Sequence, residues 1–316
     1  GIPAKASFTM ETADARTVLE DFALEGETFT VRGSLALRDG ELEGARFHNV
    51  RLNRSDDFAI DIGRSGAGYT IDITGRSLDA RSLIKHLTRD LGAGAESADG
   101  VPVTVEMRMD RVDGFHEESL RDVRLRYRGT GSTVQDLVFS AITAGGDAVH
   151  FRHDTVDGAR NVTMQSNDAG ALVRFLDLYE RMEGGRIELA LSGPPDGPLT
   201  GTVDARDFWI VNEPRLGSLV STAPAGGDRS LNQALRSQID VSRVRFDRGF
   251  ASLGKGPGYL LVERGVLRSP QIGTTFRGTL YDANGRMDMS GTFMPAYGLN
   301  RIFGEIPLIG QILGNG

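Results

Sequence analysis

The sequence predicts a mainly β protein, an antiparallel sheet accompanied by a few short helices. Three observations lead there. Apolar and polar residues alternate with a period of two through 28–37, 69–74, 101–109, 186–191, 203–211, 259–267 and 286–293, the pattern of strands with one dry and one wet face. Turn signals join such segments: Arg38-Asp39-Gly40, Asp157-Gly158, Ala283-Asn284-Gly285 and Gly254-Lys255-Gly256-Pro257-Gly258, where Gly, Asn and Asp supply the positive φ that tight hairpins need. Third, helical periodicity is confined to short stretches. Strands wet on one face belong to antiparallel sheets, whereas the strands of a doubly wound enzyme read as unbroken apolar runs.

The helical signal is a recurring start at the end of an alternating segment. Asp14-Ala15-Arg16-Thr17-Val18-Leu19, Asp79-Ala80-Arg81-Ser82-Leu83-Ile84 and Asp168-Ala169-Gly170-Ala171-Leu172-Val173 each place Asp where an N-cap would accept orphan backbone N–H groups, with Phe22, Leu87 and Leu176 eight positions on. They predict a repeated strand-and-helix module, although a common capped-helix start would look the same. Loops are expected at 93–100 and 222–229, which are rich in Gly and Ala.

At 316 residues the chain exceeds the usual size of a single compact core, so two lobes or an elongated body are expected. Lys and Arg total 36 against 43 Asp and Glu, a net charge of −7, and no basic stretch carries interleaved aromatics. Nucleic acid is therefore not an expected partner. Without Cys there are no disulfides, thiolate nucleophiles or Cys-ligated metals. Gly1 is not an initiator Met, no signal-type apolar core opens the chain, and no run of about 20 apolar residues could span a bilayer. The expectation is an internal segment, with any membrane anchor or targeting signal lying outside it.

A search for chemistry yields no catalytic constellation. His150 and His153 are three apart in a strand and face opposite ways, so they cannot easily share a metal. The Gly254–Gly258 segment lacks the Lys-Ser/Thr ending of a phosphate loop, Asp56-Asp57 read as solvated loop carboxylates, and no Ser sits in a G-x-S-x-G elbow. The chain is expected to be non-enzymatic and to need no cofactor or metal.

Several segments carry a resemblance when taken in order: Ser166-Asn167-Asp168-Ala169-Gly170-Ala171-Leu172, then Asp177-Leu178-Tyr179-Glu180-Arg181-Met182-Glu183-Gly184-Gly185, then Asp207-Phe208-Trp209-Ile210-Val211-Asn212-Glu213-Pro214. Gly291-Thr292-Phe293-Met294-Pro295-Ala296-Tyr297-Gly298-Leu299-Asn300 and Ile306-Pro307-Leu308-Ile309-Gly310-Gln311-Ile312-Leu313 complete the series. The half from Asn161 onward resembles the C-terminal region of AsmA-like proteins of Gram-negative bacteria, whose pattern continues beyond Gly316. Residues 1–160, a β-rich groove segment with short helices, are similar only in style; 161–316 would be the AsmA-like region, truncated at its end.

The resemblance implies an elongated, curled, groove-like sheet with an apolar concave face, in a periplasmic protein anchored upstream in the inner membrane and reaching towards the outer membrane. Larger members are similar to bridge-like lipid-transfer proteins. The expected partner is a phospholipid or other acyl lipid, with outer-membrane components as a second possibility through envelope assembly.

Groove-lining candidates follow from two-residue spacing: Ile187, Leu189 and Leu191; Phe208 and Ile210; Val244 and Phe246; Phe276 and Leu280; Met287, Met289 and Phe293. Met and Phe suit a surface that receives variable acyl chains, but an ordinary sandwich core demands the same alternation. Val203 and Ala205 run out of step with Phe208 and Ile210, which predicts a bulge near Asp207, and a second is expected near Arg243. The run from Leu299 holds Ile302, Phe303, Ile306, Leu308, Ile309, Ile312 and Leu313, broken by Pro307. It reads either as a lid or membrane contact, or as a helix packed on the sheet end.

Overall fold

The alternation predicted for the strands becomes a single hydrogen-bonded ladder in the computed structural model, which describes residues 3–90, 100–131, 133–214, 216, 242–270, 272–282 and 286–295. The first half runs β1 (Ala4–Ala13), β2 (Arg16–Gly26), β3 (Thr30–Arg38), β4 (Glu41–Arg51), β5 (Asp57–Ser65), β6 (Gly68–Asp79), helix α1 (Arg81–Asp90), β7 (Pro102–Asp113), β8 (Ser119–Thr130), β9 (Thr133–Thr143) and β10 (Ala148–Val156). The second half holds β11 (Ala159–Ser166), α2 (Ala169–Phe175), β12 (Met182–Glu183), β13 (Arg186–Gly193), β14 (Leu199–Val211), β15 (Arg243–Gly256), β16 (Tyr259–Arg268), β17 (Ile272–Tyr281) and β18 (Asp288–Pro295).

Neighbours in sequence pair antiparallel, as short hairpin turns dictate. The exception is β6 with β7, a parallel pair joined through α1. The eighteen strands form one long curled sheet that does not close into a barrel. At residue 160 the ladder is continuous, because β11 pairs with β10 on one side and β13 on the other.

Turn chemistry matches the sequence at several hairpins. Asp39-Gly40 and Asp157-Gly158 each take two consecutive positive φ values, and Pro257-Gly258 joins β15 to β16. The Ala283-Asn284-Gly285 turn and the 222–229 loop lie outside the described residues, as do 93–99 of the first loop.

Of the three expected helix starts, two hold. The Asp79 carboxylate accepts the Arg81 N–H at 3.0 Å, and Asp168 caps α2 by accepting the Ala171 N–H at 3.0 Å. The expectation at Asp14 is overturned. Asp14 adopts φ 51° in the turn between β1 and β2, and residues 16–26 pair with strands on both sides. Two neighbouring ladders satisfy those backbone groups, so helix propensity has nothing left to offer.

Both helices sit at the same end of the strands and plug it. Ile84 of α1 and Ala169, Leu172 and Phe175 of α2 join Val50, Phe58, Met109, Val123 and Val149 in one buried cluster. Close approach explains two glycine sites. The Gly170 backbone lies so near β12 that a Cβ would stand 2.7 Å from the Met182 carbonyl oxygen. Gly184 and Gly185 break the strand between β12 and β13 at positive φ, and their carbonyls accept the N–H groups of Gly170 and Ala169. Asp56, expected to be solvated, is instead 2% exposed. Its carboxylate accepts the Asp79 N–H at 2.7 Å, tying the loop before β5 to the start of α1, and burial pushes its pKa up.

The phase change predicted at Asp207 is present, with φ 54°, but it is not a bulge, because the pairing passes from Arg206 opposite Arg248 to Phe208 opposite Phe246 without a register shift. On both β14 and β15 the apolar positions change phase there, from Ala205 opposite Gly249 to Phe208 opposite Phe246. Two further Asp residues in left-handed backbone do sit in bulges: Asp21 (φ 49°) between Leu19 and Phe22 in β2, and Asp122 (φ 50°) between Leu120 and Val123 in β8, each with one extra residue against the following strand. The shared string is an apolar residue, a charged one, Asp, then an apolar one: Leu19-Glu20-Asp21-Phe22, Leu120-Arg121-Asp122-Val123 and Ala205-Arg206-Asp207-Phe208. Asp tolerates left-handed backbone better than most residues, and each extra residue bends and twists the sheet. Replacing Asp122 by Gly should leave stability within about 0.5 kcal/mol, whereas Asp122→Val should cost about 1–2 kcal/mol, read from urea unfolding midpoints.

Candidate functional site

Register decides which side chains share a face, because directly paired residues point the same way. Followed from β2 to β18, the pairs trace one row: Phe22, Gly33, Phe47, Ile60, Ile73, Met107, Leu125, Phe139, Phe151, Met164, Leu189, Val203, Ala251, Gly265, Phe276 and Gly291. Every member is apolar or glycine. At about 4.8 Å per strand the row runs for about 70 Å.

Exposure across this face is graded. Towards the helices, Val50, Met109, Val123 and Val149 are at most 3% exposed, whereas Phe47, Ile60, Ile73, Met107, Leu125, Phe139, Phe151, Met164 and Leu189 are only half-buried. Among the described residues the two helices cover one end of the wall, and no second sheet covers the middle. The opposite face is charged. Arg46 meets Asp61 at 2.8 Å, Arg108 meets Glu106 at 3.1 Å, Arg152 meets Asp154 at 2.5 Å and Arg248 meets Asp204 at 2.6 Å. Exposed pairs of this kind contribute little stability; they keep that face wet and fix which side of the sheet is dry.

The residues expected to line a groove divide into groups. Ile187, Leu189 and Leu191 lie on the apolar wall, paired with Ser166, Met164 and Val162. Phe276 lies in the long row, and Met289, half-buried, pairs with Gly278. Phe208, Val244 and Phe246 share the face but are at most 3% exposed. With Ile210 they pack into the plug beneath α2, where Phe208 stacks on Phe246 at 5.4 Å, and Ile187 belongs to the same buried cluster; the closed-core alternative describes these five. Leu280 is the extra residue of a bulge between Thr279 and Tyr281 and is 39% exposed, and Met287, 64% exposed, precedes β18. Phe293 pairs with Thr274. Ile302, Phe303, Ile306, Leu308, Ile309, Ile312 and Leu313 lie outside the described residues.

The wall is equally well made in the first half, where no lining residues were expected. Ile71, Ile73, Val103, Val105 and Met107 lie in the alternating segments 69–74 and 101–109, so their signal was already present in the sequence.

Two polar features interrupt the picture. A cleft of about 590 Å³ at the start of α1 is lined by Asp79, Arg81, Lys85, Arg111, Asp113 and His116 among others. Its arginines are engaged, Arg81 with Asp79 at 2.5 Å and Arg111 with Asp113 at 2.6 Å. The second is His153. As expected, it faces away from His150: His150 is exposed and His153 half-buried on the apolar wall. Burial, aided by Arg160 and opposed by Asp154, holds its pKa below the usual 6.5. Among the described residues, no group of three or more His, Asp or Glu is arranged to hold a metal, and no helix is long and apolar enough to cross a membrane.

The fold and the wall define a class: a curled antiparallel sheet with an apolar face that the described residues cover only in part. No family model, curated protein or solved structure matches it.

Two outcomes follow from the graded exposure. Met107→Lys should cost less than about 1.5 kcal/mol, since the ammonium can reach water over an open wall, while Val123→Lys should cost at least about 3 kcal/mol or prevent folding. Equal losses in denaturant titration would mean that the wall is closed. For His153, a folded pKa below the unfolded one means stability that is full above pH 6.5 and lost as pH falls through the folded value. His153→Phe should therefore gain on the wild type as the pH of a thermal melt is lowered below 6.5.

Proposed function

We propose that this protein is a non-enzymatic lipid conduit segment, which shields acyl chains against its apolar wall on the way between two membranes. The observation that carries this reading is the unbroken apolar row from β2 to β18, half-buried from Phe47 to Val203. Exposing a 16-carbon chain to water costs roughly 13 kcal/mol, at about 0.8 kcal/mol per methylene, so a carrier must cover the tail at every point of its path. A wall of about 70 Å offers that cover along its length, while a headgroup stays in solvent at the lip. The AsmA-like motifs of 161–316 support the same reading, and with it a periplasmic setting, an inner-membrane anchor upstream and phospholipid as cargo.

A second reading has its own observation. Every residue of β1 is exposed, and among the described residues β1 pairs only with β2. An open edge of this kind can accept a strand from another protein, as an envelope-assembly scaffold contacting outer-membrane components would require.

Native mass spectrometry of protein purified without detergent should show bound phospholipid, and photo-crosslinkers at Phe139, Phe276 and Met289 should capture it. A lipid-free spectrum together with silent crosslinkers at all three positions rejects the conduit. Charged substitutions on the wall should abolish transport under the first reading and spare function under the second.

A further inference from the structure

On the conduit reading, the wall needs only apolar groups, yet on β10 and β11 it carries a histidine with a partnerless buried nitrogen beside an arginine held only by backbone carbonyls. His153 on β10 pairs with Leu137 of β9 and Val162 of β11, which fixes it on the apolar face. Its Nε2 is buried and has no hydrogen-bond partner. Two residues on, Thr155 pairs with Arg160, so Arg160 stands on the same face, one step nearer the hairpin turn. As diagonal neighbours, the two backbones lie roughly 7 Å apart.

Arg160 is held but not neutralised. Its Nε donates to the Pro194 carbonyl at 3.1 Å and an Nη donates to the Gly197 carbonyl, which fixes the guanidinium against the β13–β14 turn. No carboxylate of the described residues forms an ion pair with it, although Arg152 on the outer face of the neighbouring strand is paired with Asp154 at 2.5 Å. Directly opposite Arg160 on β13 is Gly193, where a Cβ would stand 2.2 Å from the Pro198 carbonyl oxygen, so the β13–β14 turn packs closely against the strand at this point. On the other side of His153, one row towards the helices, run Phe139, Phe151, Met164 and Leu189.

A fixed positive charge, an imidazole whose buried Nε2 lacks a partner and an adjoining aromatic–aliphatic strip suit one kind of molecule: an amphiphile with an oxyanion head and a hydrocarbon tail. We propose that Arg160 and His153 form a head-group receptor on the wall, Arg160 pairing with a phosphate or carboxylate, His153 donating an N–H to the same head, and the tail lying along Phe151 and Met164. This rests on the wall being a lipid surface and adds to it a preferred station and head-group chemistry. The guanidinium is suited to the task because its planar fork matches both oxyanions bidentately.

The test uses the full chain incubated with neutral phosphatidylcholine vesicles carrying, in separate arms, phosphatidylglycerol, oleate or dioleoylglycerol, with bound lipid counted by mass spectrometry. Wild type should retain at least one anionic lipid roughly tenfold better than dioleoylglycerol, as expected for one charge-assisted contact. A preference confined to phosphatidylglycerol identifies a phosphate head, and one confined to oleate a carboxylate head. Arg160→Gln and His153→Phe should each reduce that preference with dioleoylglycerol uptake unchanged, Arg160→Lys should keep part of it, and the exposed Arg277→Gln should keep all of it. Should Arg160→Gln fail to fold, His153→Phe and Arg160→Lys still decide the matter. Equal uptake of all three lipids by wild type, or an anionic preference that survives both His153→Phe and Arg160→Gln, overturns the receptor and leaves the conduit standing. No uptake of any lipid removes both.

Discussion

The structure depends on one constraint: in an antiparallel pair, residues directly opposite each other share a face. Each strand therefore hands its apolar side to the next, and the row from Phe22 to Gly291 is the result of that rule applied strand after strand. A slip of one residue anywhere would turn an apolar set to the charged side. The ion pairs of the outer face, such as Arg46 with Asp61 and Arg206 with Asp204, oppose such a slip, because it would carry charges onto the dry wall.

Phase changes are managed where they occur. At Asp21, Asp122 and Asp207 one residue in left-handed backbone shifts the alternation and bends the strand, so the apolar set stays on one side while the sheet curls. The repeated apolar–charged–Asp–apolar string in β2, β8 and β14 makes bending a property of the sequence. The ends of the strands are treated differently. At one end α1 and α2 supply the dry cluster that anchors the sheet, with Arg174 bridging α2 to Glu118 at 2.6 Å. Along the middle the wall is left half-covered.

That asymmetry is the link between fold and proposed function. A sheet with a dry face normally buries it under another layer. Among the described residues the two helices cover one end, and the remaining apolar surface is the part on which the proposed function rests. Cross-strand neighbours give it stiffness, and Met107 and Met164, flexible and polarizable, give it tolerance for chains of varied shape.

Much of this was legible in the sequence. Two-residue alternation announced the strands, Asp-Gly pairs announced hairpins, and the clash of phase between Ala205 and Phe208 announced the left-handed residue at Asp207, although β14 and β15 change phase together there and form no bulge. These signals are local, and a local backbone preference decides each of them. What the sequence left open depended on which strand lies beside which. Asp14 and Asp168 open similar strings, yet only Asp168 caps a helix, because residues 16–26 find pairing partners on both sides. Asp56 is buried because the start of α1 folds back over it. Leu189 and Phe246 have the same apolar alternation, yet Phe246, like Ile187, belongs to the plug beneath α2 while Leu189 is only half-buried. Alternation by itself determined that one face of every strand is apolar; only the tertiary structure decided where that face is covered, since coverage is set by the helices at one end and not by any period within a strand.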